Sequence, residues 1–187
     1  MTLIYTEGAV MTHRKSIPIF VALAALLASS QSTSVLAQSK DVTVRVVDKA
    51  GYEKVIASHK GKVIVVDCWA TWCVPCRKAF PKTVEMSKAY AGKGVVVVSL
   101  CFDDPVKGQA PEKVKEFLQK QDAKFDNLLS SLEISDSGAE AFAIPEGALP
   151  HFKIYGKDGK LFKAFDGNQE FSHEDIESAV KEALKSK

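Results

Sequence analysis

An apolar run that leads directly into two closely spaced cysteines constrains the fold of this chain more than any other feature. The run Val63–Cys68 is rich in β-branched residues and has no polar alternation before Asp67, which predicts a strand buried on both faces of a parallel sheet. The tetrad Cys73-Val74-Pro75-Cys76 follows, and then a helical pattern from Arg77 to Ala91. A strand, loop and helix in this order would place Cys73 at the helix N-terminus, where free N–H groups and the helix dipole favour negative charge. Because thiolate is the reactive form of cysteine, the pattern indicates thiol–disulfide chemistry.

The length, net charge and cysteine count of the chain limit its domain organisation, its partners and its scaffold class. The chain has 187 residues, of which 46% are apolar, and this is enough for one domain with a core and an additional terminal segment. The net charge of +2 gives no reason to expect nucleic acid or an anionic surface as a partner. Four cysteines are too few for a small disulfide-stapled scaffold.

Residues 1–37 have the pattern of a secretory signal peptide. The basic segment His13–Lys15 precedes an apolar stretch of 12 residues, Ile17–Ala28, and Val35–Ala37 supplies small or modest side chains before Gln38. The apolar stretch is shorter than the roughly 20 residues that a membrane-spanning helix needs. A cleaved signal peptide is therefore expected, and an uncleaved membrane anchor is the alternative.

The consequence of this signal is an exported mature domain, residues 38–187, in the periplasm or cell envelope. Met11 begins a more usual signal peptide than Met1, so either residue is a possible start. A cysteine pair outside the cytosol has a redox state that depends on a partner and not on the cytosolic thiol pool.

The periodicity of the mature region predicts an α/β domain. Apolar runs indicate strands, the Asp158-Gly159 turn indicates a hairpin, and Ser172 is a candidate N-cap for the last helix. A turn is expected at Asp48–Gly51, and Leu132–Glu146 is predicted as a loop with one helical turn. We predict strands at 42–47, 63–68, 95–102, 125–129, 152–155 and 161–165, and helices at 52–59, 77–91, 111–121 and 172–185.

The segment Val63–Lys78 resembles the active-site segment of thioredoxins. Pro81, five residues after the second cysteine, matches the helix-bending proline of that family, and Leu149-Pro150 with the following hairpin resembles its cis-proline segment. Residues 103–143 are similar in length to the insertion of the exported TlpA/ResA-like branch. The resemblance spans about 42–184 and implies a thioredoxin fold, a central mixed β-sheet flanked by helices, in an exported thiol–disulfide oxidoreductase.

The resemblance implies catalytic roles for Cys73, Cys76 and Asp67. Cys73 would attack, Cys76 would resolve the mixed disulfide and form the redox disulfide with Cys73, and Asp67 would act as general base. The residues alone also allow a structural disulfide or half of a zinc site at the cysteines, and a solvated strand end at Asp67. Zinc needs further ligands, and Cys68, Cys101 and the histidines show no second paired spacing. No metal and no cofactor are therefore expected.

Substrate contacts are expected on both sides of the cysteine pair. Trp72, Val74 and Pro75 adjoin the sulfurs in sequence, with core packing as the alternative for Trp72. On the other side, the resemblance implies that Leu149 and Pro150 present backbone to an extended substrate segment, as in strand addition.

Three residues depart from the thioredoxin pattern. Cys68 stands where an aromatic residue is usual, His151 where threonine is usual, and Ser99 near the position of a lysine. We expect Cys68 and Cys101 to be buried small apolar side chains, with a second disulfide as the alternative. His151 is predicted to be a surface histidine, with a pH-sensitive group as the alternative. Trp69 is predicted to pack under the active-site loop.

The expected activity is reduction of exported protein disulfides, for instance those of apocytochrome c, with electrons from a membrane-bound donor. The same residues would allow an oxidase or isomerase. A thiol peroxidase of the peroxiredoxin type is unlike this chain, because Val66 and Ala70 stand where that family's Pro and Thr/Ser precede the cysteine. A redox-inert binding module is the remaining class, and the intact cysteine pair argues against it.

Overall fold

The computed structural model of the protein describes residues 41–107 and 110–186. The predicted signal peptide, residues 1–37, lies outside the described residues. The strands are β1 (Val44–Val47), β2 (Val63–Trp69), β3 (Val95–Cys101), β4 (Asp126–Ser130), β5 (His151–Tyr155) and β6 (Leu161–Phe165). The helices are α1 (Lys49–Ser58), α2 (Val74–Ala89), α3 (Ala110–Lys120), α4 (Asp136–Ala141) and α5 (His173–Lys185), with a short 3-10 turn at Pro145–Gly147.

The strands form one six-stranded mixed sheet in the order β1-β4-β3-β2-β5-β6. The first four in this order are parallel, while β5 is antiparallel to β2 and β6 is antiparallel to β5. The predicted α/β fold with a central mixed sheet is confirmed, including the unit β2–α2–β3 with adjacent parallel strands. Within residues 103–143 lie α3, β4 and α4, and β4 pairs with β3 on one side and β1 on the other.

Helices cover both faces of the sheet. Alternate residues of β2 point to opposite sides: Trp69 packs with α2 and α3, whereas Val66 packs with α1 and α4. We call the side covered by α2, α3 and α5 the front face, and the side covered by α1 and α4 the back face. All seven residues of β2 are buried, as the apolar run predicted.

The first helix begins earlier than predicted. Asp48 is its N-cap, and the Asp48 carboxylate accepts the N–H of Gly51 at 2.7 Å. The predicted turn at Asp48–Gly51 is therefore wrong, because a capping aspartate and a nearby glycine are also common in turns. The cap of α5 is confirmed: Ser172 and Asp175 form a capping box.

Among the described residues, no helix has both the length and the apolar character that a membrane span requires.

Candidate active site

Cys73 and Cys76 are joined by a disulfide with an S–S distance of 2.05 Å. Cys73 is the N-cap of α2, and its Sγ accepts the backbone N–H of Cys76 at 3.3 Å. Pro75 lies in the first helical turn, where its missing N–H costs no hydrogen bond. The Cys73 sulfur therefore lies at the positive end of the helix dipole. When the disulfide is reduced, this position favours thiolate over thiol.

The surface around the sulfurs is apolar and open. Trp72 is 59% exposed and Val74 is 49% exposed, while Cys73 and Cys76 are largely covered. Trp69 is fully buried below them, with its ring centroid 4.8 Å from those of Phe80 and Phe117. The packing predicted for Trp69 is confirmed, and core packing does not explain Trp72.

Asp67 is a buried carboxyl on the front face, the same side as α2. It is 2% exposed, and its Oδ2 accepts a hydrogen bond from the Thr83 hydroxyl of α2 at 2.6 Å. Burial raises the pKa of Asp67 to about 7, although the hydrogen bond from Thr83 lowers it. The alternative of a solvated strand end is wrong. A carboxyl with this pKa can accept and release a proton near neutral pH.

The polar residue paired with Asp67 on the next strand is Ser99. The Ser99 hydroxyl donates to the side-chain oxygen of Asn127 at 2.8 Å. Ser99 therefore brings no positive charge to Asp67, and burial dominates the pKa of this carboxyl.

The cis-proline segment borders a groove that the first turn of α2 also lines. The Leu149–Pro150 bond is cis, as the resemblance implied. The groove, of about 630 Å³, is lined by Pro75 of α2 together with Pro150, Phe171 and His173. The structure thus brings two predicted substrate-binding residues, Pro75 and Pro150, to one groove. Trp72 lines a separate cleft of about 560 Å³ together with Phe102, Asp103 and Ile134.

Gly167 packs against the cis-proline segment, which the sequence did not indicate. A Cβ atom at this position would lie 2.9 Å from the carbonyl oxygen of Pro150 and 3.0 Å from the carbonyl carbon of Leu149. Real Cβ atoms do not approach backbone this closely, so a side chain here would displace one of the two segments. Glycine allows the close approach of the loop after β6.

Asp103 is a second residue that the sequence interpretation missed. It is buried and accepts the backbone N–H of Thr71 at 2.7 Å, and it also accepts the Thr71 hydroxyl and the Cys101 thiol. These bonds fix the loop that carries Trp72 to Cys73. The position of Asp103 just after β3 was the signal that could have found it. Since β2 and β3 are adjacent and parallel, the residues that follow these strands lie at the same edge of the sheet.

His151 is buried, so the prediction of a surface histidine is wrong. It is 1% exposed, and neither ring nitrogen has a hydrogen-bond partner among the described residues. The strand begins at His151 and not at Phe152 as predicted, which pairs His151 with Cys68 on β2. Burial, with a smaller effect of Lys153, lowers the pKa of His151 to about 4. The imidazole is therefore neutral near pH 7.

Cys68 and Cys101 are free and buried. Cys68 packs on the back face and Cys101 on the front face, so the sheet separates the two thiols. The alternative of a second disulfide is wrong, and both side chains act as small apolar groups, as expected. Burial raises the pKa of Cys68 to about 12 and also raises that of Cys101.

In the described ranges, no three His, Cys, Asp or Glu side chains cluster as a metal site requires.

The fold and the site together define a class. A mixed sheet of this topology, a Cys-x-x-Cys pair at the start of the helix after the central buried strand, and a cis-proline beside the pair are the features of the thioredoxin superfamily. The chain belongs to the Redoxin family, whose model matches residues 34–182.

Similar proteins agree with this class. The thiol-disulfide oxidoreductase ResA of Bacillus thuringiensis subsp. konkukian is 31% identical over 140 residues, which cover 73% of this chain and 72% of the relative. A thiol:disulfide interchange protein of Chlorobium tepidum TLS has a solved structure with a TM-score of 0.52 and 28% identity, covering 68% of this chain and 83% of that chain. A secreted Mycobacterium tuberculosis disulfide oxidoreductase has a solved structure that shares the fold, with a TM-score of 0.52 and 21% identity, covering 67% of this chain and 85% of that chain. The predicted enzyme class, a protein-disulfide oxidoreductase, is confirmed.

Proposed function

We propose that the protein is exported and reduces disulfide bonds of other exported proteins through Cys73 and Cys76. The single observation that carries this proposal is the position of the Cys73 sulfur at the N-cap of α2, where it accepts the N–H of Cys76. The signal-peptide pattern of residues 1–37 supports export.

In the first step, the Cys73 thiolate of the reduced protein attacks one sulfur of a substrate disulfide. A bond forms between Cys73 Sγ and that sulfur, and the other substrate sulfur leaves as a thiolate. The helix dipole and the N–H of Cys76 lower the free energy of the Cys73 thiolate, which increases its population at neutral pH.

In the second step, the Cys76 thiol loses its proton and attacks Cys73 Sγ. The second substrate sulfur leaves, and the Cys73–Cys76 disulfide forms. We assign Asp67 as the base that takes the proton of Cys76, directly or through a water molecule, because its pKa of about 7 suits this transfer. A donor then returns two electrons to the disulfide.

The substrate is proposed to be an extended polypeptide segment. The groove is lined by Pro150 and by Pro75, which lies between the two cysteines in sequence, and the backbone at Leu149 would pair with the segment as an added strand. Exposed Trp72 and Val74 offer apolar contacts to residues next to the substrate disulfide. Apocytochrome c is one substrate of this kind, and a membrane-bound protein is the proposed electron donor.

The reduction potential of the Cys73/Cys76 couple tests the direction of electron flow. It is measured by equilibrating the protein in glutathione buffers of known potential. A value near −270 mV supports a reductant, and a value near −120 mV supports an oxidase. An oxidase or isomerase uses the same two sulfurs, so the potential separates roles that the geometry shares.

Catalysis itself is tested by insulin reduction with dithiothreitol as the electron source. The wild-type protein should accelerate the reaction, and Cys73→Ser should abolish the acceleration. Cys68→Ser is the matched control, because this buried thiol lies on the back face and should be dispensable. No acceleration by the wild type would favour a redox-inert binding module. Turnover of hydrogen peroxide would favour a peroxidase.

A further inference from the structure

A cavity of about 490 Å³ lies on the back face, on the side of the sheet opposite α2. Its walls come from α1, α4, β5 and the turn after β5, and they include the apolar side chains of Ile56 and Phe142. This volume lies within the range of small-molecule sites. The redox reaction described above does not use this cavity.

Lys153 lies in this cavity although it is almost completely buried. It is 4% exposed, and its ammonium donates to the carbonyl oxygen of Phe142. An ammonium has three N–H donors, and Phe142 O is the one acceptor that Lys153 has among the described residues. Burial lowers the pKa of Lys153. An anionic partner in the cavity would offset the cost of desolvating its charge.

Two tyrosines place a further donor beside Lys153. The hydroxyl oxygens of Tyr52 and Tyr155 lie 2.8 Å apart, so one hydroxyl donates to the other. The hydroxyl that accepts keeps its own proton for a third group. Burial raises the pKa of both tyrosines, which therefore remain protonated donors. The buried polar groups at this point are donors, and a hydrogen-bond acceptor is the complementary ligand group.

The exposed rim of the cavity carries charges of both signs. Because the rim has both acidic and basic groups, it does not favour an anion over a cation. The buried donors favour an anion. The rim residues are Lys49, Lys60, Glu53, Glu140 and Asp158.

We propose that this cavity binds a small carboxylate with an apolar or aromatic body. The carboxylate accepts from Lys153 and from the free tyrosine proton, and the body packs against Ile56 and Phe142. The site is independent of the proposed reductase function, because it lies on the other face of the sheet from Cys73 and Cys76.

The test uses three probes and their neutral counterparts: benzoate, indole-3-acetate and 4-phenylbutyrate, each with its primary amide. Binding to the oxidised wild-type protein is followed by calorimetry and by backbone amide shifts of Phe142 and Tyr155. At least one acid should bind at millimolar concentration or below. Its amide should bind about tenfold more weakly or worse, since hydrogen bonds between two charged groups are stronger than those to a neutral acceptor.

Lys153→Met keeps the length of the side chain and should abolish the preference for the acid. Tyr155→Phe removes one hydroxyl and should weaken binding of the acid more than binding of the amide, because the charged acceptor forms the stronger hydrogen bond. This variant also tests the proposal if Lys153→Met does not fold. Lys54→Met, at an exposed lysine of α1 that does not line the cavity, is the control and should leave binding unchanged. The proposal is overturned if no acid shifts the Phe142 and Tyr155 resonances, if acid and amide bind equally, or if Tyr155→Phe and Lys153→Met bind the acid as the wild type does.

Discussion

The Thr83 hydroxyl of α2 donates to the Asp67 carboxyl of β2 at 2.6 Å, inside the core on the front face of the sheet. This bond joins the helix that carries Cys76 to the strand that leads to Cys73. It also lowers the pKa of a carboxyl that burial raises to about 7. The proton affinity of Asp67 thus results from two opposing effects that can be changed separately.

Asp67→Asn should slow the resolving step about 100-fold, the lower end of what general base catalysis contributes. In the wild type, the rate should rise with pH around pH 7, because only the ionised carboxyl accepts a proton. Thr83→Val removes the hydrogen bond that favours the carboxylate, so it should move this midpoint to higher pH. Stopped-flow measurement of mixed-disulfide resolution checks both variants. An unchanged pH profile in Asp67→Asn would exclude Asp67 as the base.

Asp67 should also make the stability depend on pH. Its folded pKa lies above the ordinary value of 3.8, so the stability that its protonated form contributes is fully present below pH 3.8. That stability is lost as the pH rises to about 7, by about 4 kcal/mol in total. Chemical denaturation of wild type and Asp67→Asn between pH 4 and pH 8 measures the difference. The stability of Asp67→Asn relative to wild type should increase with pH across this window, and a constant difference would contradict the account.

Asp103→Ala should loosen the loop before Cys73, because the partly buried N–H of Thr71 loses its acceptor. We expect a loss of about 1–3 kcal/mol in the free energy of unfolding. The KM for insulin should rise as Trp72 becomes less well positioned, while the reaction with a small aromatic disulfide should change little. Asp104→Ala is the matched control, since Asp104 accepts the backbone N–H groups of Val106 and Lys107 and pairs with the Lys107 ammonium, so these bonds stay within its own turn. Equal effects of the two substitutions would contradict a positioning role.

Gly167→Ala should impair protein substrates more than small ones. The added Cβ would meet the backbone of Leu149 and Pro150, and the displaced segment would no longer match an extended substrate. The KM for insulin should rise several-fold, with the reduction potential unchanged, since the sulfurs are not touched. Asn168→Ala, at the exposed neighbouring position, should behave like the wild type. A normal KM in Gly167→Ala would show that this close approach does not position the substrate segment.

The sequence predicted the parts of this structure that follow from local patterns. The β-branched run at Val63–Cys68, the capping box at Ser172 and the cysteine pair each depend on neighbouring residues. By contrast, the burial of His151 depends on where a strand begins and on its antiparallel pairing with β2. Strand boundaries are poorly specified by local sequence pattern, and a shift of one residue in the pairing register moves a side chain to the other face of the sheet.

Residues that act across the fold were harder to find. Asp103, in the loop after β3, contacts Thr71 in the loop after β2, and Gly167 packs against Pro150, which lies 17 residues earlier in the chain. Neither contact can be predicted from a local sequence motif. The separation of Cys68 from Cys101 follows from the register of β2 and β3, which pairs Cys101 with Trp69. Cys68 is the residue before Trp69, so its side chain lies on the opposite face of the sheet.

The central claim is that Cys73 is a stabilised thiolate at the start of α2. Its pKa in the reduced protein can be measured from the pH dependence of alkylation by iodoacetamide, with Cys76→Ser as a check that the reacting sulfur is Cys73. We predict a pKa well below the value of about 8.5 for a free cysteine. A Cys73 that titrates at about 8.5 or above would contradict the account.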